Sequence, residues 1–360
     1  MTDKTEGDGR TAPDAGREME RRKVQLSGRT TYVVSLPKRW VDAANIEPGD
    51  VVGVDVQDDG TLLIVPESVK RRRLRECVLQ LDDLGPTETL RELMAAYLAG
   101  YDRIVMRSRG PLLAEQLGSA RAMTRRTVGL EIVEEKKDEV ILQDLADPGQ
   151  FATRAGLYRL HNIVVGMLND ALTALRTGDR ELALDVVLRD DSVDRMFLML
   201  SKQHMHRLSD LSVVRKRRVS VKESFFLVQA ARTLERCADH AVRVAEALTE
   251  TREEGLVLPE AAWERVGALG KEAIGLLGTA VDSFLKGDRR MAHGVVAVSE
   301  RLTRERAELE RALLVTDTEA LLGLGLVVES LERVHQYAAD LAEFAISYAL
   351  VTGDDGGSRA

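Results

Sequence analysis

The stretch TGDRELA at residues 177–183 returns as KGDRRMA at residues 286–292, and this pair decides the fold of the C-terminal half. Apolar residues recur there every three or four positions, which is typical of amphipathic helices. The repeat predicts two bundles of three helices, with Asp179 and Asp288 capping the helix after each turn. We expect six long helices, at roughly 150–177, 179–207, 219–250, 259–286, 288–312 and 317–350.

Two acidic pairs stand at helical spacing in the first repeat. TLERCADHAV (233–242) carries Glu235 and Asp239, and the helix before it carries Asp190 and Asp194. Residues four apart lie on one helix face, so neighbouring helices could bring the two pairs together. Four converging carboxylates repel one another unless a cation lies between them. Oxygen-only ligands suit Mg, Mn, Fe or Ca, so the pattern indicates a divalent or trivalent metal ion.

A plainer interpretation of these carboxylates stays open. Acidic pairs are common on solvated helix faces, where they form surface ion pairs with neighbouring basic residues. Three arginines stand close enough in sequence to do so: Arg189, Arg195 and Arg236.

The second repeat has lost most of this charge. Aligning the GDR and LER motifs places Ser299, Thr303 and Gln336 at the positions of three of the four carboxylates. The copy SLERVHQYAA (330–339) keeps Glu332, and Glu300 is acidic nearby. Any second metal site at Glu300 and Glu332 is therefore expected to be weak.

Short strands are expected between residues 20 and 69. The segments KVQLS, TYVVSL, DVVGVDV and TLLIVP are rich in β-branched residues and are separated by turn residues. A short helix, PKRWVDAANI, is expected between them at residues 37–46. So small a unit buries little surface alone, which favours a partner chain.

Positive charge is concentrated in this N-terminal region. The whole chain has a net charge of −8, yet basic residues cluster at Arg21, Arg22, Lys23, Arg29, Lys38 and Arg39. Such residues bind DNA phosphates, and a two-fold dimer would present them to a palindromic site. Arg29 follows Gly28 at a turn and is the best candidate for contacting a base edge. Alternatively, these residues only solubilise the domain or bind acidic protein surfaces.

The rest of the chain divides into a middle segment, two bundles and two tails. Residues 70–148 alternate strands and helices, which predicts an α+β layer with helices on one sheet face. The bundles are expected at 150–255 and 256–352. The polar tails, 1–19 and 353–360, are expected to be disordered.

Composition excludes several classes of protein. Two cysteines far apart form no disulfide framework, so a reducing cytoplasm is expected. The polar N-terminus has no apolar core of a signal peptide, and no apolar run is long enough to span a membrane. A di-iron enzyme would need two Glu-x-x-His motifs, and we find one clear instance, Glu332 with His335. We therefore expect no enzymatic activity.

The helical half resembles the PhoU family of phosphate-uptake regulators. That family has two three-helix repeats with E/D-x-x-x-D motifs on the second and third helices, which DDSVD (190–194) and LERCADHAVRVAE (234–246) match. The resemblance implies a metal site at Asp190, Asp194, Glu235 and Asp239.

The N-terminal segment resembles the AbrB/SpoVT DNA-binding domain, a swapped-hairpin β dimer. The resemblance rests on KVQLSGRTTYVVSLPKRWV (23–41) and IEPGDVVGVDVQDDGTLLIVPE (46–67). From about residue 20 to 350 the chain is similar to archaeal PhoU-domain regulators with an AbrB-type domain. This implies a homodimeric transcriptional regulator of phosphate homeostasis. The alternative is an adaptor that binds phosphate ABC transporter components or a signalling partner, with the small domain serving only to dimerise.

Overall fold

The chain forms two structural units, Met1–Arg73 and Leu74–Ala360. A computed structural model describes residues 20–56, 60–66, 74–146, 153–209, 221–250, 259–312 and 318–354. The tail predicted at 1–19 lies outside these residues. So does the tail predicted at 353–360, apart from residues 353 and 354, which end the last helix.

The first unit consists of two β-hairpins with a short helix between them. Its elements are β1 (Gln25–Ser27), β2 (Thr31–Val33), α1 (Lys38–Ala43), β3 (Val52–Val56) and β4 (Leu62–Pro66). Both hairpins are antiparallel, as the alternating pattern predicts. The helix is shorter than the predicted 37–46, because Asn45 adopts a φ of 49°. A left-handed residue cannot continue a right-handed helix.

Apolar side chains of this first unit are exposed. Among its described residues, 20–56 and 60–66, no side chain is buried. Valines, leucines and a tyrosine that would normally be in a core face solvent: Val24, Leu26, Tyr32, Val33, Val34, Val51, Val54, Val56 and Leu62. Exposed apolar surface of this kind marks an interaction face.

The second unit begins with the α+β layer that the sequence predicts. Its elements are β5 (Glu76–Gln80), α2 (Pro86–Leu98), β6 (Arg103–Arg107), α3 (Ala114–Arg126), β7 (Leu130–Glu135) and β8 (Glu139–Asp144). The strand order is β5-β6-β8-β7, with β5 parallel to β6 and the other pairs antiparallel. Leu93 of α2 and Met123 of α3 are fully buried in one core with Ile104, Leu130 and Leu142 of the strands. The helices thus cover one face of the sheet.

Six long helices follow, close to the predicted positions. They are α4 (Thr153–Thr177), α5 (Arg180–Ser209), α6 (Val221–Glu250), α7 (Glu260–Lys286), α8 (Arg289–Ala312) and α9 (Thr318–Asp354). Helices α4 to α6 pack together as one bundle and α7 to α9 as another. Where α4 meets α7, the buried Gly270 lies so close that an added Cβ would approach Leu172 Cδ1 to 2.6 Å. None of the described helices is long and apolar enough to cross a membrane.

The repeated GD turns have the same local structure in both bundles. Gly178 and Gly287 have φ values of 71° and 66°, which glycine tolerates without strain. Asp179 and Asp288 each accept a hydrogen bond from the backbone N–H three residues later, at 3.0 Å in both cases. The predicted helix caps are therefore confirmed.

The α+β layer is joined to α5 by a buried ion pair. Lys202 Nζ on α5 donates to Asp144 Oδ2 at the end of β8 at 2.5 Å, and both side chains are about 5% exposed or less. The ammonium also lies 4.0 Å from the centre of the Tyr97 ring on α2. One helix of the first bundle is thereby fixed to the sheet layer.

Candidate metal site and nucleic-acid surface

The four carboxylates of the first repeat lie on α5 and α6, which pack directly against each other. The apolar stripe of α6 is buried, and Leu234 and Ala238 belong to it. Glu235 and Asp239 each follow one of these residues. They therefore stand at the boundary between the bundle core and solvent, with Glu235 half-buried and Asp239 exposed.

Burial and mutual repulsion raise the pKa of all four acids. Burial, then Asp239 and Asp194, raises the pKa of Glu235 to about 7. Burial, then Asp194 and Asp239, raises the pKa of Asp190 to about 6. The pKa values of Asp194 and Asp239 are raised as well, each first by desolvation. The structure thus brings the four predicted residues into one electrostatic cluster, where each carboxylate disfavours ionisation of its neighbours.

Arg232 and Arg236 act on these carboxylates electrostatically: both oppose the rise in the pKa of Glu235, and Arg236 opposes the rise in the pKa of Asp239. Within the described ranges, none of the four forms an ion pair, and the buried Oδ1 of Asp190 has no hydrogen-bond partner. Arg189 pairs instead with Asp170 at 2.6 Å and with Asp185 at 3.0 Å. An orphaned buried carboxylate oxygen is costly and suits a position that accepts a cation.

The four carboxylate side chains are not arranged around one common point. Among the residues that the structure describes, no three His, Cys, Asp or Glu side chains are grouped as they would be around a metal ion. The four carboxylates lie along the boundary between α5 and α6, and we call this place the acidic groove.

Sequence reasoning did not single out four charged residues that act on this groove. One of them is Arg232, which opposes the rise in the pKa of Glu235. Asp191 and Glu246 add to the repulsion that raises the pKa of Asp190. Glu246 lies seven residues after Asp239 on the same helix, so its spacing could have revealed it. Arg126, at the end of α3, acts in the opposite direction and lowers the pKa of Asp194. It is distant in sequence and carries no comparable signal.

The second repeat holds a hydrogen-bonded polar network at the corresponding place, with one carboxylate, Glu332, where the first repeat has four. Ser299 Oγ lies 2.9 Å from His335 Nδ1, and both residues are buried. Gln336 Nε2 donates to Glu332 Oε1 at 3.2 Å. Glu300 is exposed on α8. The histidine of the single Glu-x-x-His pair is thus engaged by a serine, and Glu332 by an amide.

The six basic residues predicted to contact DNA are exposed in the first unit. Three of them, Arg21, Arg22 and Lys23, lie in the arm before β1 (residues 20–24), and Arg29 lies in the turn after Gly28. Lys38 and Arg39 begin α1. The structure brings Arg22 and Arg39 to a common partner, Glu20, which the sequence did not single out.

Two segments of the chain match models of known protein families. Residues 157–248 match the model of the PhoU domain. The PhoU match spans the first bundle from α4 to α6, so it contains all four carboxylates and ends before the second bundle. Residues 25–72 match the model of the antidote-toxin recognition antitoxin MazE. The N-terminal unit is thus a MazE/AbrB-like small β region, and the helical region is PhoU-like.

The chain is similar to two curated PhoU homologues and to a solved PhoU structure. The phosphate-specific transport system accessory protein PhoU homolog of Pseudomonas aeruginosa is 27% identical over 215 residues, which cover 56% of this chain and 83% of that protein. Its counterpart from Pseudomonas putida is 26% identical and covers 56% and 78%. The crystal structure of PhoU from Pseudomonas aeruginosa has a TM-score of 0.49 at 24% identity, over 56% of this chain and 96% of that one.

Proposed function

We propose that the protein is a metal-binding, DNA-binding transcriptional regulator of phosphate uptake, not an enzyme. The acidic groove between α5 and α6 supports the metal, and the basic MazE/AbrB-like unit supports the DNA. The PhoU match and the names of the relatives support phosphate-transport regulation. The observation that carries the proposal is the cluster of four acids with raised pKa values inside the PhoU match, three of them half-buried and Asp239 exposed.

The metal would be held by Asp190, Asp194, Glu235 and Asp239. Their oxygen donors suit a hard or intermediate cation, and the buried Oδ1 of Asp190 has no hydrogen-bond partner. A bound cation would supply the positive charge that offsets the repulsion among the four. A weak second site at Glu300 and Glu332 would have far fewer anionic donors.

Elemental analysis of the purified protein tests the metal site. The variant Glu235→Ala/Asp239→Ala should lose the metal that the parent protein retains after dialysis against Mn²⁺ or Fe²⁺. The matched control is Glu332→Ala, which alters the equivalent position of the second repeat and should retain it. Equal metal content in parent and double variant would remove the site from the proposal.

The DNA-binding role is tested with the intact protein and duplexes from its own promoter region. Retardation at low salt that weakens as salt rises is expected, because Lys and Arg release counterions from the phosphates. If the protein does not retard these duplexes at low salt, with or without Mn²⁺, the DNA-binding role is wrong.

The exposed apolar side chains of the first unit support a homodimer, which we propose as the state of the protein. A unit with no buried side chain among its described residues gains a core by pairing with a second copy. Light scattering of the full chain is expected to give twice the monomer mass.

A second candidate function is an adaptor that binds phosphate ABC transporter components. The relatives' description as accessory proteins of a phosphate-specific transport system favours it. Co-purification of this chain with a transporter subunit, together with an absence of DNA binding, would favour the adaptor.

A further inference from the structure

Glu20 lies between two of the basic residues assigned to DNA. Its Oε1 forms an ion pair with Arg39 Nε at 3.1 Å, and its other oxygen accepts a hydrogen bond from Arg22 Nη2. The arm before β1 and the start of α1 are therefore bridged by one carboxylate.

Two guanidinium groups around one carboxylate form an anion site. A phosphodiester presents two charged oxygens much as a carboxylate does, and arginine recognises both through paired N–H donors. Here the carboxylate occupies the position that a DNA phosphate would take between Arg22 and Arg39.

Both ion pairs of Glu20 are exposed to solvent, so their partners can exchange. The side chains of Arg39, Arg22 and Glu20 are 68%, 41% and 35% exposed. Water screens ion pairs at such exposure, so each contributes little to stability and can be replaced by an incoming anion.

We propose that Arg22 and Arg39 together form a binding site for one backbone phosphate of DNA, and that Glu20 is an internal competitor for this site. The inference rests on the proposed DNA-binding function and names one site within it. Glu20 weakens DNA binding, because its carboxylate must leave before the phosphate enters.

The test is DNA affinity of the full-length Glu20→Gln variant, measured by fluorescence anisotropy on a labelled promoter duplex between about 50 and 300 mM KCl. The variant should bind about three- to tenfold more tightly than the parent at low salt, with the gain shrinking as salt rises. The gain should disappear when Arg39→Gln is also present.

The matched control is Glu47→Gln, which removes the same charge from an exposed position of the same unit. An equal gain in DNA affinity for Glu20→Gln and Glu47→Gln would mean that only the loss of a negative charge matters, wherever it lies. That result would overturn the proposal. Weaker binding by Glu20→Gln would also overturn it, because Glu20 would then hold Arg39 in place for DNA. If the parent binds DNA but Glu20→Gln binds no more tightly, the proposed competition by Glu20 is wrong and the DNA-binding role stands. If neither the parent nor any variant binds DNA, both proposals are wrong.

Discussion

Replacing Glu235 by Gln should stabilise the metal-free protein at alkaline pH. The pKa of this carboxyl rises from an ordinary 4.5 to about 7 in the folded state. A pKa difference of one corresponds to about 1.4 kcal/mol, which gives about 3 kcal/mol at full effect. Glu235 is half-buried, and water screens part of the repulsion, so we expect about 1.5 kcal/mol.

The sign follows from which state binds the proton more tightly. The folded-state pKa is the higher one, so the folded protein loses stability as the pH rises from about 4.5 to about 7. A glutamine at position 235 does not ionise and escapes this loss. The variant should therefore melt about 4 °C above the parent at pH 8 in chelator, and the difference should shrink toward pH 4.5.

Thermal unfolding across this pH range, with and without Mn²⁺, provides the assay. At a hundredfold excess over Kd, metal should stabilise the folded parent at pH 8 by about 2.7 kcal/mol and so raise its melting temperature. It should do little for the variant. Glu332→Gln is the control in the second repeat and should leave the pH profile unchanged. A Glu235→Gln effect of the same size at pH 5 and pH 8 would refute the reasoning.

Three further outcomes are expected. Arg126→Ala should tighten Mn²⁺ binding about threefold by calorimetry, because a cation next to Asp194 is removed, whereas Arg125→Ala should have no effect. Lys202→Met should cost about 3–5 kcal/mol in unfolding experiments by leaving Asp144 buried and unpaired, and adding Asp144→Leu should restore much of it. Val54→Lys should shift the protein from dimer to monomer in light scattering, since it charges the exposed apolar face.

Local structure was largely predictable from the sequence. Helical periodicity and the GD turns indicated all six long helices and both aspartate caps, since these depend on neighbours within a few residues. The end of α1 was missed, because nothing in the sequence requires Asn45 to take a positive φ.

Contacts between distant segments were not predictable. The ion pair between Lys202 and Asp144 joins residues 58 apart, and no periodic pattern connects them. The i,i+4 spacing put the four acids on the faces of their helices, and the structure shows that these faces meet. The spacing did not reveal that Arg126 of α3 reaches the same groove, because that depends on how the α+β layer docks on α5.

The attachment of the sheet layer to α5 determines which truncated fragments of this protein keep their buried ion pair. A fragment that begins at α4 would contain the whole PhoU match, yet it would lose both Asp144 and the Tyr97 ring from around the Lys202 ammonium. The Lys202 ammonium would then lack the carboxylate and the aromatic ring that it contacts in the full chain. Fragments meant for metal or partner binding should therefore start near Leu74, where the second unit begins, and extend to Asp354.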